Sequence, residues 1–411
     1  MRRSRNSWLS LALVTMLFPW SGKAQEADSL DIKIGQMLLI GFPGPKVDNL
    51  VLEEVRRGKV GSIIIFEKNI PRTNSFVNLK KIVWTYQQAA PIPLFIAIDQ
   101  EGGRVNRLKD KYGFPRSITA EAMGKANTLD SVRFYAEATA ATLAGLGINL
   151  NFAPVVDLAS NPDNPIIARY GRAFSADEDS VALLAAEFIR AHRKFNVLTS
   201  PKHFPGHGSS QADTHLGMAD VTQQWEEREL KPYRLLIDSG LVDAIMTAHI
   251  VNRNLDPEGR PGTLSHHILH GILRERLGYD GVIFSDDMQM HAIARHFGLE
   301  EAIRLAILAG VDIMTFSNNI SGSAERTVDK VHAIIRGMVE SGTISRERID
   351  ESFRRIIALK QRLYAPDATE RLHQEIRSLK MSLNDAIEAV RDVNQNIQEE
   401  QPSPGKKKKK Q

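Results

Sequence analysis

Val197-Leu198-Thr199-Ser200-Pro201-Lys202-His203 begins as an apolar, β-branched run and closes on a lysine and a histidine. It hands over to Phe204-Pro205-Gly206-His207-Gly208-Ser209-Ser210-Gln211-Ala212-Asp213-Thr214-His215. Pro205, Gly206 and Gly208 prevent that second part from continuing as helix or strand. Three histidines, a lysine and an aspartate therefore sit at a strand end and on the Gly-bordered loop after it. A packing histidine is held by a regular element, so these read as site residues.

The same pattern recurs along the chain. Ile34–Phe42, Gly61–Phe66, Leu94–Asp99, Ile148–Asp157, Ala244–His249, Gly281–Asp286 and Asp312–Asn318 are further short apolar runs ending in polar or turn residues. Amphipathic stretches alternate with them, among them Asp130–Leu146, Ala176–Phe195, Trp225–Ser239, Ser265–Leu277 and Leu299–Ala309. Eight strands separated by helices must be parallel, because parallel neighbours need a crossover. Polar residues collect at the C-terminal strand ends: Asp99, Asp157, Lys202 with His203, His249, Asp286, and Asn318 with Asn319. In a barrel those ends meet at one mouth, whereas an open sheet spreads them along an edge. The fold expected is α/β, a single (β/α)8 TIM-type barrel with a C-terminal helical extension. Gly102-Gly103 lacks the dinucleotide spacing and no Walker lysine follows a glycine loop, so neither phosphate signature is present.

The ends of the 411-residue chain differ from its body. Met1-Arg2-Arg3-Ser4-Arg5, the apolar run Trp8–Trp20 and Ser21-Gly22-Lys23-Ala24 read as a signal peptide, residues 1–24, cleaved after Ala24. The run is short for a bilayer and broken by Pro19. The expectation is a periplasmic or secreted protein with no membrane span after cleavage. The barrel occupies 25–363. Over 364–400, Leu372, Ile376, Leu379, Leu383, Ala386, Val390, Val393 and Ile397 recur at alternating spacings of four and three. That is a heptad-patterned helix, docking on the barrel or self-associating with a second chain. Residues 401–411 read as a disordered, Lys-rich tail. Of the 53 basic residues, four lie in the leader and five in the tail, which leaves 44 against 49 acidic, about −5. That balance argues against nucleic acid as a partner. With no cysteine there is no disulfide and no thiolate chemistry.

Retaining glycoside hydrolysis needs a carboxylate nucleophile and a proton donor on opposite sides of the scissile bond. Asp286, closing Gly281-Val282-Ile283-Phe284-Ser285, is the nucleophile candidate. Adjacent strand residues point oppositely, so its rival Asp287 better suits a turn-capping role. His215 is the candidate donor, with Asp213 two residues earlier to orient it and favour its protonated form. Glu101 is a weaker donor, because Gly102-Gly103 suggests a turn that carries it away from the mouth. His249 either contacts substrate or braces the nucleophile. Asp99, Arg104, Arg107, Arg172, Lys202 and His203 supply charged partners for sugar hydroxyls. The competing chemistry is a metal site built from His203, His207, Asp213, His215 and His249, although Phe-Pro-Gly between the first two excludes the one-turn helical spacing of zinc proteases.

The segments KHFPGHGSSQADTHLG, IAIDQEGGRVNRL, YGRAF, MTAHI and GVIFSDDMQM, in order over roughly residues 30–360, resemble glycoside hydrolase family 3, in its single-domain β-N-acetylglucosaminidase branch. The resemblance implies a barrel without a second domain, working by double displacement with no metal and no cofactor. It makes Asp286 the nucleophile, His215 the acid/base and Asp213 its partner. Asp99, Arg107, Arg172, Lys202 and His203 fall on its sugar-binding positions. The implied partner is a GlcNAc-containing oligosaccharide or muropeptide, with a β-glucosidase, a β-xylosidase or a non-catalytic wall-scaffolding protein as alternatives. Thr214 replaces the family's usual serine, and the helix after 364 lies outside the resemblance.

Overall fold

The structure is a computed structural model that describes residues 30–214, 217–319 and 328–363. The leader, His215, the heptad segment and the lysine tail lie outside the described residues. Eight strands form the barrel: β1 (Leu38–Gly41), β2 (Ser62–Ile65), β3 (Phe95–Ile98), β4 (Leu150–Asn151), β5 (Leu198–Thr199), β6 (Ala244–Met246), β7 (Val282–Asp287) and β8 (Ile313–Phe316). Their order is β5-β4-β3-β2-β1-β8-β7-β6, with every ladder parallel. Parallel strands are covered on both faces, which is why they read as unbroken apolar runs rather than alternating ones. β1, β2 and β3 are buried throughout. Phe284 packs edge-on against Phe95 and Phe152 at ring-centroid distances of 6.1 and 5.3 Å, so aromatic side chains fill the barrel interior.

Crossover helices follow the strands, including Ser75–Ala89, Leu129–Leu146, Glu178–Lys194 and Leu299–Ala309. Their ends carry local signals. Thr128 accepts the Ser131 amide, Asp177 accepts the Ser180 amide, and Gly147 takes a left-handed conformation after Leu146. His267–Arg276 winds with π-type bonding, and Arg346–Leu363 closes the floor of the barrel. Among the described residues no helix is long and apolar enough to cross a membrane.

β5 is regular for only two residues, and the barrel closes through the segment just beyond it. Lys202 bridges Val155 on one side, while Phe204 bridges Thr247 on the other. The Phe204 amide donates to the Met246 carbonyl at 2.9 Å, and its own carbonyl accepts the Ala248 amide at 2.7 Å. Lys202-His203-Phe204 is thus the seam between β4 and β6, not the start of an irregular loop.

The first apolar run does not begin at Ile34. Leu30–Gln36 is a separate helix with Ile34 fully buried, and β1 starts at Leu38. Gly35 lets this helix press on the chain at Gly58, where a Cβ would lie 2.0 Å from the Gly58 carbonyl oxygen. Apolar continuity across the junction hid the change of element.

Candidate active site

A cavity of about 520 Å³ opens at the C-terminal ends of the strands. Ile64, Phe152 and Met246 form its apolar floor, and charged groups form its wall. Asp99, at the end of β3, receives the Lys202 ammonium at 2.8 Å and Arg107 Nη2 at 3.2 Å. Burial raises the Asp99 carboxyl's pKa, but Lys202 and Arg107 outweigh burial and hold it below the ordinary carboxylate range. Arg107 lies 5.5 Å from the Phe66 ring centroid, and its buried Nε has no partner among the described residues.

Glu101 does not turn away from this mouth. Its amide donates to the Val105 carbonyl at 3.0 Å, and the turn closes on Gly102 and Gly103 at φ +105° and +59°. The carboxylate faces inward and takes Arg172 through two bonds, Nε at 2.7 Å and Nη2 at 2.8 Å, with Lys202 Nζ at 2.6 Å. Burial opposes ionisation, but Arg172 and Lys202 bring its pKa down to about 2. A carboxyl held that low is an anchoring anion, not a proton donor near neutrality.

His203 is set by two neighbours. Its Nδ1 donates to Asp157 Oδ2 at 2.7 Å, and Arg172 Nη2 donates to its Nε2 at 3.2 Å. Those partners place a proton on Nδ1 and fix the orientation of the ring. Asp157, fully buried, also accepts the His203 amide at 3.2 Å and the His207 amide at 2.8 Å. Burial pushes this carboxyl up, but the histidines and the amide bring it below its usual range. Asp157 therefore stands behind the cavity and positions the loop. His207 borders the cavity with neither ring nitrogen partnered among the described residues, and burial lowers its imidazole to about 4.

Both aspartates of β7 reach the cavity. The strand ends there, and its register against β8 shifts between Ile313 and Thr315, so strict alternation no longer separates them. Asp287 is tied to the loop after β8. It accepts the Gln289 amide at 3.0 Å and the Ser317 amide at 3.3 Å, and the Ser317 hydroxyl as well. Burial raises its carboxyl to about 6 against those bonds. Asp286 Oδ1 accepts the Asp287 amide at 2.8 Å.

His249 is fully buried and holds the main chain beside Asp286 rather than Asp286 itself. Its Nε2 donates to the Asp287 carbonyl at 3.0 Å, and its Nδ1 meets the Thr263 hydroxyl at 2.8 Å. Both nitrogens of His203 and of His249 are thus engaged by protein groups, so neither offers a lone pair to a cation. Among the described residues no three His, Asp or Glu side chains are grouped to hold a metal. Asp213 and Thr214 border the cavity, as do Arg104 and Tyr170, where the Arg104 guanidinium lies 4.9 Å from the tyrosine ring centroid. His215 follows Thr214 directly and lies outside the described residues.

One buried carboxyl beneath the loop had no local signal. Glu229, in the turn Glu227–Leu230, is buried beneath the loop and accepts the Gly208 amide at 3.0 Å. Burial raises its carboxyl to about 7. Gly206 makes this approach feasible, since a Cβ there would lie 2.7 Å from that of Glu229.

Comparison with known proteins gives matches over most of the chain. The glycosyl hydrolase family 3 N-terminal domain matches residues 29–359. A β-hexosaminidase of Tolumonas auensis is 36% identical over 291 residues, 70% of this chain and 84% of that protein. A β-N-acetylglucosaminidase/β-glucosidase of Cellulomonas fimi is 32% identical over 348 residues, 81% of this chain but 57% of that one. A solved family 3 β-N-acetylglucosaminidase from Paenibacillus sp. FPU-7 superposes with a TM-score of 0.76 at 34% identity, covering 84% of this chain and 68% of the other.

Proposed function

The chain belongs to glycoside hydrolase family 3 and is a β-N-acetylhexosaminidase, and we propose that it acts as an exported, exo-acting, retaining enzyme on cell-wall or chitin-derived fragments. The observation that carries this reading is that one cavity gathers Asp286, Asp213 and the compensated cluster Asp99, Glu101, Arg107, Arg172 and Lys202. The cluster presents fixed charged partners to sugar hydroxyls, and Asp286 stands on a rigid strand end beside them.

In the proposed sequence, a carboxylate oxygen of Asp286 attacks the anomeric carbon as the bond to the leaving oxygen breaks. His215 gives its proton to that oxygen. Water, deprotonated by the same imidazole, then displaces Asp286 and releases the sugar. Glu101 is unsuited to the acid role because Arg172 and Lys202 keep it ionised, and Asp287 spends both oxygens on Ser317 in the loop after β8.

The test is hydrolysis of an aryl β-GlcNAc. Asp286→Asn should lower kcat by at least about a thousandfold. A variant as active as the parent overturns the assignment. The combined name of the Cellulomonas relative favours β-glucoside hydrolysis as a second reading. The ratio of kcat/KM on aryl β-GlcNAc to that on aryl β-glucoside decides between the two.

A further inference from the structure

The loop that carries the acid/base arm is gripped at its base from two sides. From the segment after β4 comes Asp157, on the amides of His203 and His207. Asn164, fully buried on the same side, donates to the carbonyls of His207 and Gly208 at 2.8 and 3.0 Å. Asn161 adds a bond to the Ser210 carbonyl at 2.9 Å. From the connection between β5 and β6 come the Trp225 indole, on the Pro205 carbonyl at 3.3 Å, and Glu229, on the Gly208 amide. Two glycines are the contact points of this grip. A Cβ at Gly208 would lie 2.0 Å from the Leu158 carbonyl oxygen, and one at Gly206 would meet the Glu229 side chain. They let neighbours close on the main chain, so residues 203–210 form a fixed base rather than a hinge. Asp213 and Thr214 leave that base and border the sugar cavity.

Glu229 is a costly choice for its position. It is buried, and the titratable groups that face it, Asp157 and Tyr233, bring no positive charge. An apolar side chain of similar volume would fill the space without that desolvation. What only an acceptor supplies is the bond to Gly208, five residues before Asp213. The element offering it is rigid. Leu230 beside it is buried, and Tyr233 packs edge-on against Phe204 of the seam, with 5.1 Å between ring centroids. Among the described residues no bond of Glu229 reaches Asp99, Glu101, Arg107, Arg172 or Lys202, and His203 takes its orientation from Asp157 and Arg172. A polar group at odds with its packing, aimed at one loop, marks a functional demand.

We propose that Glu229 is a positioning residue of the glycosidase, holding the main chain at Gly208 so that the arm Asp213-Thr214-His215 meets the leaving oxygen. The sugar-binding cluster is built without it. The inference rests on the reading of His215 as the acid/base and deepens it. Glu229 touches no substrate; it acts through the loop, and its loss misplaces the proton donor while the sugar still binds.

The test separates protonation from sugar binding. The ratio kcat/KM would be measured on an alkyl β-GlcNAc, whose leaving oxygen needs a proton, and on dinitrophenyl β-GlcNAc, whose phenolate departs without one. Glu229→Met has similar length and offers Gly208 no oxygen. It should lower kcat/KM on the alkyl substrate by about a hundredfold. The dinitrophenyl substrate should stay within about threefold, and inhibition by free GlcNAc within about twofold. Glu229→Gln restores an acceptor and should recover at least about tenfold of the alkyl loss. A merely structural role predicts equal losses on both substrates with weakened GlcNAc inhibition. That result, or no loss on either substrate, overturns the proposal. If the Met protein does not fold, Glu229→Asp, which draws the acceptor back by one carbon, takes its place with the same split expected. His215→Ala, run beside it, reports on the glycosidase reading. No split there overturns the acid assignment and the inference with it, whereas a split in His215→Ala alone overturns only the role of Glu229.

Discussion

Two lysines are buried at opposite ends of this barrel, and they are treated in opposite ways. Lys202, at the mouth, is 2% exposed and lies against Asp99 and Glu101. Lys360, on the floor, is 3% exposed and donates to the Gln36 side-chain oxygen at 2.7 Å and the Gly61 carbonyl at 2.8 Å, 4.9 Å from the Phe95 ring centroid. The first is a compensated cation within a network. The second has neutral acceptors, and burial pushes its pKa well below the lysine range. Equal burial thus meets different partners: carboxylates surround the ammonium at the mouth, and neutral acceptors with an aromatic ring surround the one on the floor.

Removing Lys202 should have the largest effect. Lys202→Met leaves two buried carboxylates facing each other, so stability should fall by about 3–5 kcal/mol and kcat/KM by at least about a hundredfold. Denaturant titration beside aryl β-GlcNAc kinetics would check this, and a stable, active variant would break the comparison at once.

Glu229 sharpens the comparison, because it sits at the mouth yet has no cationic partner among the described residues. Its folded pKa is raised, so its contribution is present below about pH 4.5 and is lost as pH rises through about 7. Glu229→Gln keeps an acceptor for the Gly208 amide and should remove that decline. The variant should gain roughly 2 kcal/mol on its parent between pH 5 and 8. Parallel stability curves would show that another group titrates.

Lys360→Met should have the smallest effect, within about 1 kcal/mol of the parent at pH 7, with kcat/KM unchanged. Here the folded pKa is depressed, so the folded state binds fewer protons and stability from this group rises with pH towards the free lysine range. The substitution should flatten that rise in thermal melts run from neutral to alkaline pH. Lost activity would mean that floor and mouth are coupled.

The eight apolar runs with polar ends made the barrel legible, because strand burial and strand-end chemistry are written in consecutive residues. Asp99, Lys202, His203 and Asp286 were legible for the same reason. Glu101 was misread since Gly102 and Gly103 announce a turn but not its direction, which Val105 and Arg172 decide from elsewhere in the chain. The bracing of Asp287 by His249 depends on contacts 38 residues apart, and Glu229 meets Gly208 across 21. Neither leaves a local pattern. The helix Leu30–Gln36 was hidden because Ile34 and the residues of β1 are alike in hydropathy and differ only in what they pack against.

The seam at Lys202-His203-Phe204 gives the molecule a form of self-inspection. A barrel is finished only when its last two strands meet, and here they meet through the residues that hold Asp99, Glu101 and Asp157. A chain that fails to close has no sugar pocket, and a chain that presents the pocket has closed. Partly assembled protein is therefore silent rather than unspecific, and catalytic activity counts closed barrels.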